Sequence, residues 1–317
     1  MGRWLEQRAL CISITAMCAY YVYSRAAYYQ AKEEEGRTID QTDTVLELAH
    51  RERCLQPWLA SDKVFRLIKP ELEVRSIKLG RDKMYDIFRD NGMLLPKRKV
   101  KSVRTTDSKH DYRRYTNLLK SSILTAPNQA WVCDITYVRV AESWMYLCLI
   151  MDAYSRQIVG HCLHDTLEMV GCMNALKMAL RTLPKGFDHK QLIHHSDHGV
   201  QYCCGAYRSI LKDHKIQISM SAVGDCYENA QAERLNGILK QEYGLGQWIP
   251  TKKQTLKMVE QAVQLYNTRR PHRALGLYLP QDIHQGKVSI TVRMGWPKKK
   301  QQTKDTTSKE ECVAAGA

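Results

Sequence analysis

Apolar positions in this chain recur at two periods, and the period changes partway along. Between residues 39 and 96 they fall at helical spacing, first as Val45, Leu46 and Leu48, then as Val64, Phe65 and Leu67, then as Met84, Ile87 and Phe88. Residues three and four apart share one face of an α-helix, so the pattern predicts three short helices with intervening turns. The last starts near Arg81 and stops at Asn91-Gly92, with Pro96 beyond. From residue 129 the texture becomes alternating and apolar. The stretches 131–140, 144–151 and 158–163 read as strands joined by turns of a few residues, which predicts an antiparallel meander. Helical spacing returns at 167–183, 206–214 and 228–243, interleaved with short strands at 191–195 and 216–220, and a further helix is expected at 256–266.

Three strands, helix, strand, helix, strand, helix is the element order of a ribonuclease-H-like α/β fold, a mixed sheet with helices on its faces. The chain accordingly divides into an N-terminal helical segment at 1–38, a small all-α, helix-turn-helix-like region at 39–96 and a basic linker at 97–128. The mixed-sheet core follows at 129–247, then a helical extension at 248–290 and a basic tail at 291–317, read as disordered. The uncharged run 9–23, ALCISITAMCAYYVY, is 15 residues long, short of the ~20 needed to span a bilayer. Glu6 stands in what would be the basic flank of a signal peptide, so a buried helix is expected there and no membrane partner.

Composition narrows the partners. The 317 residues carry 48 Lys and Arg against 33 Asp and Glu, a formal net charge of +15, which favours a polyanion such as nucleic acid. Much of that charge is gathered at 97–120, KRKVKSVRTTDSKHDYRRYTNLLK. This is a solvated linker whose Lys97, Arg98, Lys99, Lys101, Arg113 and Arg114 also suit an arm that follows a phosphate backbone. The 11 cysteines are odd in number, scattered through predicted strands and helices, and include no C-x-x-C pair. Such usage argues against a disulfide framework and for a reducing compartment, the cytoplasm. His50 and Cys54 do not open a zinc site, because no matching second pair follows.

Three acids stand where chemistry is expected. Asp134 lies mid-strand in WVCDITYV, and an acid among bulky strand neighbours must be turned outward, paired or bound to a metal. Asp197 follows the strand LIHHS in HHSDHGVQY, with Gly199 letting the backbone turn away. Glu233 sits in the helix ENAQAERLNGILKQEYG, with Asn229, Ala230 and Asn236 one turn away on the same face. Each has an ordinary explanation alone, as a strand acid, a turn aspartate and a surface glutamate. Together, with 35 residues between Asp197 and Glu233, they form an oxygen-rich site for two hard divalent cations about 4 Å apart. Other polar residues carry structural readings: Asp152 with Arg156 holds a strand turn, Asp225 and Glu228 cap the helix, and His194, His195 and His198 alternate around a strand end instead of converging, with His195 near the site.

With those residues in view, the sequence resembles the DDE transposases of bacterial insertion elements, in particular the second-frame (OrfB-type) proteins of the insertion sequence 3 family, which share the integrase catalytic core of retroviruses. The matching text is WVCDITYV, LIMDAYSRQIVG, IHHSDHGVQY, GDCYENAQAERLNGILKQEY and YNTRRPHRALGLYLP, in order from Ala130 to Pro280 and covering about half the chain. The segment EVRSIKLGRDKMYDIFRDNGMLLPKRK resembles the helix-turn-helix region that precedes that core. The resemblance implies that Asp134, Asp197 and Glu233 hold two Mg²⁺ or Mn²⁺ ions. It also implies metal-dependent DNA cleavage and strand transfer without a covalent enzyme intermediate, in a bacterial, nucleoid-associated setting. The partners implied are double-stranded DNA, as the element's terminal repeats and as target, further copies of the chain on that DNA, and a short upstream-frame helix-turn-helix protein. Lys240, seven residues beyond Glu233 on the same helical face, is a further candidate for phosphate contact. So are Arg269 and Arg270, in a basic turn with His272 and Arg273 that the resemblance marks as a family motif. The rival classes are a catalytically inactive DNA-binding regulator derived from a transposase, against which the intact triad argues, and a ribonuclease-H-like nuclease acting on RNA or hybrids. The basic N-terminal half and the 35-residue spacing favour DNA over the latter.

Overall fold

A computed structural model describes residues 13–96, 114–222 and 229–294. Its N-terminal part is helical: α1 (Ile14–Tyr20), α2 (Arg25–Leu55), α3 (Ser61–Val74) and α4 (Arg81–Asp90). Ser13 and Ser24 start α1 and α2 by accepting the Ala16 and Ala27 amides on their hydroxyls, which satisfies donors that a helix start leaves open. The predicted stop at Asn91-Gly92 is present, Gly92 taking a φ of 66°. The C-terminal half of α2 packs with α3 and α4 around Leu48, Val64, Ile68, Leu72 and Phe88, a core of their own.

Two features of this region depart from the sequence reading. The segment expected to be a buried helix at 9–23 contributes, among its described residues, one buried side chain, Cys18, while Tyr20 and Val22 are 81% and 94% exposed. Helix α1 packs against α2 with most of its described surface left exposed, so apolar content does not bring burial with it. In addition, α2 runs unbroken for 31 residues across positions 38 and 39, where a division was expected. Its first half, rich in Ala and Glu, keeps a helix going by intrinsic preference without an apolar stripe.

The central sheet has the order β4-β3-β2-β5-β6, from β2 (Ala130–Val140), β3 (Ser143–Asp152), β4 (Ile158–His164), β5 (Ile193–Ser196) and β6 (Gln217–Met220), a short β1 (Ile123–Leu124) lying outside it. β2, β3 and β4 form the expected antiparallel meander, whereas β5 lies parallel to β2 and β6 parallel to β5. Alternate residues of a strand face opposite sides, and both sides of β2 are covered. Trp131 and Cys133 pack with α5 (Met169–Arg181) and α7 (Gly205–Asp213), the latter following the single turn α6 (Val200–Cys203). Ala130, Val132 and Val138 pack with α8 (Ala230–Glu242) and α9 (Lys252–Arg269). This mixed sheet with helices on both faces is the ribonuclease-H-like architecture.

Further contacts tie the C-terminal extension to the core. Asn267 of α9 accepts the Ile158 amide and donates to the Ile158 carbonyl, both at 2.9 Å. Beyond α10 (Pro280–His284), β7 (Val292–Arg293) pairs with β1. The β3–β4 turn is held by Asp152, fully buried, which accepts the Asn128 amide and the Ser155 amide and hydroxyl, each at 2.7 Å. Among the described residues no helix is long and apolar enough to cross a membrane.

Close approach of α5 to β4 depends on Gly160, where an added Cβ would lie 2.3 Å from the Ala175 carbonyl oxygen and 2.9 Å from the Ala179 methyl. Gly160→Ala must push a helix backbone off the sheet and is expected to destabilise the protein by about 3 kcal/mol, the upper end for overpacking, as read by urea denaturation. A change within experimental error would show that α5 yields freely.

Candidate carboxylate site

Asp134 shares the even-numbered face of β2 with Val132 and so points toward α8, not toward the Trp131 and Cys133 side. The parallel pairing of β2 with β5 has its last register pair at Val132 and His195. Asp134 therefore stands two residues past it, and Asp197 follows directly on the end of β5. Both acids emerge at the carboxyl end of the parallel strands, beside the strand where the sheet changes from antiparallel to parallel. Such a point opens a crevice between neighbouring strands.

Gly199 has a φ of −76°, so its role is not the left-handed turn that glycine usually serves. Its value is the missing Cβ, which would fall 3.0 Å from Asp197 Oδ1. The Asp197 carboxylate instead accepts the Gly199 amide at 3.1 Å, an Asx-type turn.

Helix α8 presents Asn229, Glu233, Asn236 and Lys240 at steps of four, three and four, one stripe along its surface. Asn229 donates through Nδ2 to the Cys133 carbonyl at 3.1 Å and anchors the helix start against β2. Asn236 donates through Nδ2 to Asp134 Oδ2 at 2.7 Å, while Asp134 Oδ1 accepts the Ile135 amide at 2.9 Å. Glu233, in the first turn, is exposed. Neither asparagine was singled out for a role at the site by the sequence, although their helical spacing from Glu233 was the available signal.

The electrostatics join the three acids. Burial, reinforced by the charges of Asp197 and Glu233, pushes the Asp134 carboxyl up to about 8, against the Ile135 amide and Lys240. Burial and then Asp197 raise Glu233 as well. Burial lowers the Lys240 ammonium, and Asp134 partly offsets this. Among the described residues no group of three His, Cys, Asp or Glu is drawn together closely enough to be a ready-made metal cage. The donor set nevertheless suits a hard divalent cation, since oxygen ligands that repel one another are relieved by such an ion.

The other candidates are distributed differently. Lys240 is half-buried on α8 within reach of the charge of Asp134, and Arg114 is exposed. Lys97, Arg98, Lys99, Lys101 and Arg113 lie outside the described residues, as do Asp225 and Glu228. Arg270 departs from the expectation of a DNA contact: it is 2% exposed, with its guanidinium held by Glu242. Arg269 is bound to Glu52 through two nitrogens. The histidines do not converge. His194 lies in the core with its Nε2 2.9 Å from Cys133 Sγ and 2.8 Å from the Tyr207 hydroxyl, and burial pushes it down to about 3. His195 Nδ1 is 2.8 Å from Ser219 Oγ.

Residues 125–226 match the family described as Integrase core domain, and residues 214–280 match a second family of the same description. Sheet order and these matches define an integrase-core protein. The chain is 35% identical over 270 residues to the insertion element IS600 uncharacterized 31 kDa protein of Shigella sonnei, covering 83% of this chain and 96% of that protein. It is 40% identical over 129 residues to the transposase InsF for insertion sequence IS3A of Escherichia coli (strain K12), covering 40% of this chain and 43% of InsF. Among solved structures, the HTLV-2 integrase catalytic core domain in complex with magnesium (trimeric form) aligns at 18% identity and a TM-score of 0.39, covering 50% of this chain and 97% of that one. The chain belongs to the insertion sequence 3 family of transposases.

An unfolded Asp ionises near pH 4, whereas Asp134 in the fold keeps its proton up to about 8. Between those values the native state holds more protons than the unfolded one, so in ion-free buffer stability falls as pH rises through this window. Asp134→Asn removes the charge and keeps the shape. It is expected to stabilise the ion-free protein near pH 8 by ~1–3 kcal/mol, discounted from ~1.4 kcal/mol per pKa unit because the carboxylate is partly accessible to solvent. Urea denaturation across this range should show a flatter pH profile for the variant; parallel profiles would place the proton elsewhere.

Proposed function

We propose that this chain is a DNA strand transferase that cuts the ends of an insertion element and joins them to target DNA, with Asp134, Asp197 and Glu233 as its catalytic triad. The observation that carries the reading is that Asp134 stands just past the last parallel pair of β2 with β5 and Asp197 directly after β5, with the charges of Asp197 and Glu233 both acting to raise Asp134. Family membership supports it, and the two strand acids and the helix acid are the residues that would hold two Mg²⁺ or Mn²⁺ ions. When bound, such ions activate the attacking water or 3′ hydroxyl and stabilise the leaving oxygen.

The chain's own residues supply orientation and charge. Asn236 fixes one oxygen of Asp134, and the Ile135 amide the other, so the carboxylate plane is set before any ligand arrives. Asn229 fixes the approach of α8 to β2 and thereby the reach of Glu233. Lys240, beside Asp134, offers a cation to a DNA phosphate at the mouth of the site. At neutral pH without ions Asp134 holds a proton, which it would have to release to ligate a cation. The basic arm from Lys97 to Arg114 follows the phosphate backbone, the partners are terminal-repeat and target DNA with further copies of the chain, and the setting is the bacterial cytoplasm. Residues 129–247 form the catalytic unit and the helices before them the DNA-recognition unit.

Purified protein with Mg²⁺ or Mn²⁺ is expected to nick and join DNA carrying the element's terminal repeats. Asp134→Ala, Asp197→Ala and Glu233→Ala should each lower strand transfer by on the order of a thousandfold or more, with circular dichroism unchanged. Strand transfer at the unmutated level by any of them removes that residue from the triad. DNA binding without cleavage in the unmutated protein would identify an inactive regulator, and preferential cleavage of RNA–DNA hybrids a nuclease.

Asn236→Ala leaves the ligands in place but frees one oxygen of Asp134. A ~10–100-fold loss of activity, or of apparent metal affinity, is expected, the usual effect of removing a group that orients a ligand. A metal titration of activity that superimposes on that of the unmutated protein would show that Asp134 needs no such support.

A further inference from the structure

The basic turn after α9 is not explained by the catalytic reading, and the structure surrounds it with residues from the N-terminal helices. Arg269 places Nε and an Nη at 3.0 and 2.7 Å from the two carboxylate oxygens of Glu52, which is 1% exposed. Arg270 makes the same two-point contact with Glu242 at 2.6 and 2.8 Å, and Lys63 Nζ reaches Glu242 Oε1 at 2.8 Å. Arg273 Nε lies 2.8 Å from Asp62 Oδ2. Gln56, fully buried, accepts the Tyr243 hydroxyl at 3.0 Å and donates to the Arg269 carbonyl at 3.4 Å. The Arg66 guanidinium stands over the Tyr278 ring at 6.0 Å.

These contacts share one geometry. Glu52 and Gln56 come from α2 or its end, and Asp62, Lys63 and Arg66 from α3. Their partners are the end of α8, at Glu242 and Tyr243, the turn at 269–273, and Tyr278. The apolar cores on either side do not merge: the cluster around Leu48 and Phe88 is separate from the cluster that holds α8 and α9. The two parts therefore meet through paired charges and amides. Buried pairs of this kind specify an arrangement more than they add stability, since desolvation offsets much of their attraction, and two-point guanidinium–carboxylate pairs are directional.

We propose that the turn Arg269 to Arg273 is the docking site for the chain's own N-terminal helices and that it couples their position to the catalytic helix. The coupling runs through Glu242, which lies on the same helix as Glu233, two and a half turns further on. Lys63 from the N-terminal side and Arg270 from the turn grip the same carboxylate, so displacement of α3 removes a charge from the end of α8. Glu52 on α2 and Glu242 on α8 also explain why Arg269 and Arg270 are paired within the chain. This inference goes beyond the catalytic proposal and stands or falls without it.

Charge swaps in the full chain test it, read by hydrogen–deuterium exchange and mass spectrometry. Glu52→Arg and Arg269→Glu, each alone, are expected to speed exchange about tenfold both in the N-terminal helices at 52–67 and at the end of α8 at 239–245, with the sheet unchanged. The double swap should restore both segments to within about twofold of the parent, the mark of a specific pair. Because Glu52 is buried and its variant could unfold locally, the outlying pair Asp62→Arg with Arg273→Glu is run in parallel; Arg273 is 71% exposed on its side chain, and the same pattern is expected at smaller amplitude. Parent-like exchange in all single variants overturns the docking. Faster exchange confined to 52–67 overturns the coupling to α8. Failure of both double swaps to restore either segment shows that the pairs do not define the interface.

Discussion

Putting a carboxylate on a strand covered on both faces is the constraint around which the rest of this protein is arranged. β2 is antiparallel to β3 and parallel to β5, and the parallel pairing stops short of Asp134. Had it continued, the next strand would close over the acid. Because it stops, the chain leaves β5 through Asp197, and the two acids stand at the end of the parallel pairing. The pleat then separates neighbours completely: Cys133 lies with His194 and Tyr207 in a closed core on one side, while Asp134 meets Asn236 on the other. One residue of register decides between an inert thiol and a site.

Helix α8 does several things with one set of spacings. Its inner positions, Ala232, Leu235, Ile238 and Leu239, fill the core beneath the sheet. A neighbouring stripe carries Asn229, Glu233, Asn236 and Lys240, which hold the helix to β2, add the third acid, orient the first and place a cation beside it. Its last residue, Glu242, reaches back to Arg270 and Lys63. Desolvation would raise that carboxyl, yet the guanidinium and ammonium more than offset it and hold it below its ordinary value. Opposite responses at the two ends of one helix follow from their surroundings: burial and then Asp197 raise Glu233, while Arg270 and Lys63 lower Glu242.

The cysteines fit the same division between closed core and open site. Those described are all free thiols, and Cys133, Cys148, Cys172 and Cys203 are buried. Burial is the first cause that raises Cys133 and Cys203, while for Cys172 the contact with Cys148 comes before it. These buried thiols behave as small apolar groups in the core that holds α5 and α7. This agrees with reading them as core residues.

Much of the architecture was legible in the sequence because element type and facing are local properties. A period of two over 131–140 and helical spacing over 228–243 state which residues share a side, and the order of elements leaves few ways to build a sheet. The positions of Asp134, Asp197 and Glu233 within a strand, at a strand end and on a helix were legible for the same reason. What the sequence did not disclose depends on segments distant in the chain. Asn236 and Asp134 are 102 residues apart, and Arg269 and Glu52 are 217 apart. Composition made the arginines look like DNA contacts, since it records charge without recording which opposite charge is brought near. The same limit applies to 9–23, where apolar content suggested burial but only packing could say whether another surface was there to cover it. Gly199 shows it at atomic scale: the glycine was visible, but its reason, room for the Asp197 carboxylate and not a left-handed turn, existed only once the chain had folded around it.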